Sequence, residues 1–267
     1  MQHIDDVKIH FDSNGLMLMN IALAIVMFGV ALGITLNDFK AILKKPKLVV
    51  LGITSQFIVL PFITYLLIVI IKPQPSIALG MIMVAACPGG NISNFMTSMA
   101  KGNTALSVSL TAFATFLALF MTPFNFQFYG NLYAPTAEIL KTVQLNSLEL
   151  IKLVILILGL PLVVGMFIRS KYKNLADKLS KFLKPFSIIV FIVIVIMAFS
   201  NNLDIFSAYI FDVLGLGILH NAIAILLGYG IGVVFKLALK NKKTLAIETG
   251  IQNSGLGLLL IFSFFNS

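Results

Sequence analysis

Apolar residues fill this chain in long runs separated by short polar stretches. Eight runs, labelled A to H, cover roughly residues 17–36, 48–71, 76–100, 104–125, 149–168, 185–201, 208–235 and 244–267. Runs of about 20 apolar residues are long enough to cross a ~30 Å hydrocarbon layer. Lipid offers no partner to backbone N–H and C=O groups, so spanning runs satisfy them internally and are predicted to be helices. Composition agrees. The 267 residues are 59% hydrophobic and 11% charged, with mean hydropathy +1.01, which leaves too little polar surface for a soluble domain. One cysteine excludes a disulfide framework and any cysteine-based metal cluster.

Charge orders the runs across the bilayer. Lys40, Lys44, Lys45 and Lys47 lie between A and B, and Lys101 lies between C and D. Arg169, Lys171, Lys173, Lys178, Lys181 and Lys184 lie between E and F, and Lys236, Lys240, Lys242 and Lys243 between G and H. These alternate connections fall on one side and hold 15 of the 19 basic residues. The other side has Lys8, Lys72, Lys141 and Lys152 beside Glu138, Glu149, Asp204 and Asp212. Excess Lys and Arg marks the cytoplasmic face, so the N-terminus and the end of H are predicted outside. Tyr65, Tyr129, Tyr133 and Tyr209 fall near outer segment ends, as interfacial anchors do. The +9 net charge is thus topological, and no basic–aromatic surface remains for nucleic acid. The polar start, with Asp5, Asp6, Asp12 and Lys8, reads as an exposed tail rather than a cleavable signal peptide.

Two segments depart from the apolar pattern. Segment C contains AACPGGNISNFMTSMAKGN, with Pro88, Gly89 and Gly90 near its middle and Asn91, Ser93 and Asn94 after them. Segment H contains LAIETGIQNSGLGLLL, with Glu248, Gly250, Gln252, Asn253 and Ser254 together. Gly and Pro can simply kink a membrane helix. Two breaks packed with polar groups point instead to a transport site. C runs inward and H outward, the relation an inverted repeat produces.

Glu248 is the sharpest chemical signal, since the other nine acidic residues fall in tails, connections or segment ends. A carboxylate within the membrane needs a cation, a proton or a hydrogen-bond network. One reading pairs it with Lys242 or Lys243 near the cytoplasmic surface; the other makes it a cation ligand or proton site. Thr104, Ser107, Thr111 and Thr115 are spaced to share one helix face. Such hydroxyls can bond back to their own helix or present oxygen inward. Gln56 is a further oxygen donor in mid-segment B. Hydroxyls, amides, freed carbonyls and one carboxylate suit a hard cation such as sodium. Half-helix N-termini carry free N–H groups and positive dipole ends that favour an anionic group. His220 reads as an interhelical hydrogen bonder more readily than a ligand, with Asn221 beside it. Cys87 reads as a small packing residue, and the Asn91–Ser93 sequon lies too deep for glycosylation. No paired catalytic acids, zinc motif or phosphate loop is present, so the chain is not read as an enzyme and no cofactor is expected beyond coupling ions.

At these residues the chain resembles the bile acid:sodium symporter family. CPGGNISNFMTSMAKGN looks like that family's fourth-helix crossover and AIETGIQNSGLG like its ninth, while QFIVLP in B and HN in G also match. The resemblance spans A to H. It implies an all-α integral membrane protein, an inverted-repeat transporter with two discontinuous crossing helices and core and panel domains. It also implies two sodium sites. The first would use Ser93, Asn94, Ser107, Thr111 and Glu248. The second would use Gln56, Glu248 and Gln252 with the carbonyls of Thr249 and Ile251. Asn91 and Asn253 would face the substrate. Many members of that family have ten helices and some have nine, lacking the first; by the resemblance this sequence is expected to begin at the second helix and to stop after the ninth.

The expected organisation is an extracytoplasmic tail (1–16), a first repeat (17–125), an extracytoplasmic connector (126–148) and a second repeat (149–267). The expected activity is sodium-coupled symport of an organic anion, bile acid-like or a small carboxylate, by alternating access in the cell membrane. Two alternatives stay open: a proton-coupled or efflux carrier of arsenite type, in which Glu248 titrates or Cys87 binds the metalloid, and a non-transporting membrane receptor or subunit.

Overall fold

The computed structural model describes residue 21 and residues 24–35, 46–142, 147–200 and 203–265. The tail 1–16 and Lys40, Lys44 and Lys45 lie outside the described residues. Helix α1 spans 24–31. Helix α2 (Pro46–Ile71) passes through a π turn at Ser55–Val59. Segment C splits into α3 (Pro75–Ala86) and α4 (Asn91–Met99). Then come α5 (Thr104–Leu132) and α6 (Ala134–Thr142). Helix α7 runs from Ser147–Val154 through a π turn at Ile155–Gly159 into Leu160–Lys171. After α8 (Lys173–Ser200) and α9 (Leu203–Val234), segment H splits into α10 (Leu239–Gly250) and α11 (Ser254–Phe265). Among the described residues the structure is helical, and its one β-type pairing joins Gly89 to Gln252.

Three described stretches are long and apolar enough to cross a membrane: Pro46–Ile71, Thr104–Leu132 and Tyr209–Val234. Large apolar side chains face outward, Phe211 at 83% exposure and Ile70 at 77%. Gln56, Ser93, Ser107, Thr249 and Glu248 are buried. That inversion suits a lipid surround, where the outside is as apolar as the core. The main apolar core packs Phe57, Met83, Ala114, Phe126 and Leu260 from α2, α3, α5 and α11.

The helices extend past the expected segment ends. Segment D does not stop near 125: α5 continues through Pro123 to Leu132, and α6 occupies much of the stretch read as a connector. The basic stretches also extend helices. Lys178, Lys181 and Lys184 belong to α8, and Lys240, Lys242 and Lys243 to α10. Lysine is a good helix former, so a charged extension can carry an apolar helix beyond its hydrophobic run.

Proline explains the local geometry of α2. Pro61 has no N–H to offer the carbonyl of Phe57, four residues back. Asn125 of α5 supplies the missing donor: its Nδ2 reaches Phe57 O at 2.8 Å. A buried polar side chain thereby satisfies a carbonyl that lipid would leave bare.

Candidate functional site

The two interruptions meet. Pro88 and Gly89 lie in the short link between α3 and α4, and Ile251 and Gln252 in the one between α10 and α11. The links pair antiparallel: Gly90 N–H donates to Ile251 O (3.0 Å) and Asn253 N–H to Pro88 O (2.8 Å). Unwound backbone inside a membrane protein needs such partners. Helices α3 and α11 pack on one side of the crossing, α4 and α10 on the other. The helix-end carbonyls are held from neighbouring helices. Thr122 Oγ1 donates to Ala86 O (2.8 Å) and Asn221 Nδ2 to Gly250 O (2.6 Å). Glycine is needed at 89 for space, since its φ is not positive. A Cβ there would lie 3.0 Å from Glu248 Oε2, 3.1 Å from Glu248 O and 3.3 Å from Gln56 Oε1.

Glu248 is fully buried on α10, among oxygens from α4 and α5. Ser93 Oγ lies 2.6 Å from Glu248 Oε1 and 2.5 Å from Gly90 O. Ser107 Oγ is in hydrogen-bond contact with Glu248 Oε1 and lies 2.8 Å from Asn94 Oδ1. Thr111 Oγ1 lies 3.1 Å from Glu248 Oε2 and 3.3 Å from Asn94 Oδ1. Each hydroxyl carries one proton, yet each faces at least two acceptor oxygens. The cluster therefore has more lone pairs than protons, a donor set into which a hard cation fits.

The ion-pair alternative for Glu248 is not what the structure holds. Lys243 Nζ donates instead to Ala100 O (3.0 Å). Among the described residues the one ion pair is Arg169–Asp177.

Further acceptors lie along the crossing. Gln56 Oε1 accepts the Gly89 N–H (3.0 Å), which leaves Gln56 Nε2 buried without a partner. Gln252 Nε2 donates to Thr249 O (2.7 Å), and Gln252 Oε1 is likewise buried and unpartnered. Orphaned buried amides are uncommon and call for an explanation. Thr249 O and Ile251 O each already accept one N–H, and a carbonyl has two lone pairs.

Other singled-out residues separate from the cluster. Thr115 Oγ1 donates to Thr111 O of its own helix (2.7 Å). His220 Nε2 meets Thr64 Oγ1 (2.8 Å), joining α9 to α2. Cys87 is fully buried in the apolar core. Asn253 Oδ1 caps α11 by accepting the Leu256 N–H (3.1 Å), and its Nδ2 faces Met27 of α1. Asn91 begins α4; its side chain lies outside the described residues. Sequence reasoning missed Thr97 and the Ser55–Thr249 hydroxyl pair. Thr97 was findable, four residues after Ser93 on the same face of α4.

The model of the Sodium Bile acid symporter family matches residues 20–209. The chain belongs to that family. It is 34% identical over 246 residues to an uncharacterized sodium-dependent transporter of Bacillus subtilis, covering 92% of this chain and 74% of that protein. A probable chloroplastic sodium/metabolite cotransporter of Arabidopsis thaliana is 30% identical, over 92% of this chain and 59% of its own. Sodium/bile acid cotransporter 4 of Mus musculus is 30% identical, over 87% of this chain and 52% of its own. The chain thus spans about half to three quarters of the length of these relatives. Family and named relatives are transport proteins rather than enzymes, in line with the absence of a catalytic motif.

Proposed function

We propose that this protein is a sodium-coupled symporter of an organic anion working by alternating access. The supporting observation is the proton-poor oxygen cluster around Glu248 at the crossing of two interrupted helices. One sodium ion would sit among Ser93, Asn94, Ser107, Thr111 and Glu248. A second would take Gln56, Glu248, Gln252 and the carbonyls of Thr249 and Ile251, a role that would occupy the orphaned Gln252 Oε1. The N-termini of α4 and α11, with Asn91 and Asn253, would receive the anionic group, since helix N-termini favour negative charge. The anion would be bile acid-like or a small carboxylate, and the relatives' names point to both bile acids and metabolites.

In this reading the chain crosses the bilayer eight times with its N-terminus outside, in two inverted repeats (17–125 and 149–267). Core would rock against panel once both ions stabilise the crossing. The energetics suffice. Two sodium ions, each with a tenfold gradient (about 1.4 kcal/mol) and ~100 mV (about 2.3 kcal/mol), release roughly 7 kcal/mol. A monovalent anion moving inward takes back about 2.3 kcal/mol.

The test is uptake of radiolabelled taurocholate and of small keto and hydroxy acids into proteoliposomes. Uptake of one of them is expected with a sodium gradient and not with potassium or choline. Uptake unaffected by that replacement would end the coupling claim. Transport driven by a pH gradient alone would favour the proton-coupled alternative, and sodium-dependent binding without flux the receptor.

A further inference from the structure

One turn from the oxygen cluster, the same three helices are joined a second time. Asn103 precedes Ser107 by four residues and Thr111 by eight; Thr244 precedes Glu248 by four. Positions four apart share a helix face, so Asn103 and Thr244 form a layer stacked against the cluster. The Asn103 N–H donates to Thr244 Oγ1 (2.8 Å), whose own proton reaches Lys240 O (2.9 Å). Asn103 Nδ2 donates to Asn241 Oδ1 (2.9 Å), and Asn103 Oδ1 caps α5 by accepting the Leu106 N–H (3.1 Å). The Lys243 ammonium closes the C-terminal carbonyl of Ala100, just past α4 (3.0 Å). Thr244 is fully buried, and a Cβ on Gly102 would come within 3.0 Å of its hydroxyl.

These bonds tie the Ala100–Asn103 turn, between α4 and α5, to the first turns of α10. Ser107 and Glu248 of the cluster lie on the next turn of α5 and α10. A cation site needs several oxygens held together against their mutual repulsion, and the holding is done by the layer behind them. We propose that Asn103, Asn241, Lys243 and Thr244 are positioning residues that hold Ser107 and Glu248 in place and so set the cluster's cation affinity. This rests on reading the cluster as a sodium site.

The test is a sodium titration of the full chain purified in detergent, with choline keeping ionic strength constant and melting temperature as the readout. Thr244→Val keeps the volume and removes the hydroxyl. It is expected to raise the half-effective sodium concentration at least fivefold while saturating sodium still stabilises the protein. Thr244→Ser, which keeps the hydroxyl, is expected within twofold of the parent. Asn241→Ala and Lys243→Gln, on half-buried side chains, are expected to shift the titration in the same direction, and they carry the test if the valine variant does not fold. A uniform drop in melting temperature with an unmoved half-effective concentration would overturn the proposal and leave the sodium reading standing. A parent protein indifferent to sodium would overturn both.

Discussion

Gly89 is where the geometry of the crossing is most exposed to a single atom. A Gly89→Ala methyl would lie 3.0 Å from Glu248 Oε2, 3.1 Å from the Glu248 carbonyl and 3.3 Å from Gln56 Oε1, all tighter than ordinary contact. The carbonyl belongs to the α10 backbone and yields little, so the carboxylate and the Gln56 amide have to give by a few tenths of an ångström. Overpacking of this kind costs about 1–3 kcal/mol. Pulling Glu248 from even one of its hydroxyl partners removes a hydrogen bond to a charged group, about 1.5–3 kcal/mol. At about 1.4 kcal/mol per decade, sodium affinity should fall at least tenfold. The assay is sodium-dependent thermal stabilisation in detergent, with choline as the replacement ion. Gly80→Ala on α3 is the control, because a Cβ there meets nothing within 4 Å, and it should leave the titration unmoved. If Gly89→Ala titrates like the parent, the carboxylate beside Gly89 is not part of a cation site.

Four further substitutions test two separate pieces. Asn125→Leu strips the donor from Phe57 O and should destabilise by about 1–3 kcal/mol; in a Pro61→Ala background, where residue 61 regains its N–H, the loss should shrink, as double-mutant melting measures. Thr115→Val should leave the sodium titration unchanged, because that hydroxyl serves Thr111 O, whereas Thr111→Val should shift it; equal shifts would mean the whole hydroxyl stripe faces the ion.

Much of this was legible in the chain itself. Pro88-Gly89-Gly90 and the polar run after Glu248 announced both interruptions, because nothing else puts so many polar groups into an apolar run. The spacing of Ser107 and Thr111 announced the oxygen face of α5. Periodicity does not say which hydroxyl turns inward: Thr115 has the same spacing as Thr111, yet its hydroxyl bonds to its own helix. It also could not pair residues far apart in sequence. The Asn125–Phe57 bond, the Asn103–Asn241 bond and the Lys243–Ala100 bond each join positions 68 to 143 residues apart. The last of these removed the lysine that proximity in sequence had offered to Glu248. Helix ends differ from the apolar runs wherever lysines continue a helix, as in α8 and α10, because composition marks the hydrocarbon boundary and not the end of the helix.

The central claim is that Glu248 and the hydroxyls around it bind sodium. Equilibrium binding of radiolabelled sodium to the purified protein, beside Glu248→Gln, tests it most directly. The amide keeps the shape of the carboxyl group and removes its charge. Saturable binding by the parent and its loss in the variant are the expected result. Equal binding by the two proteins would contradict the account.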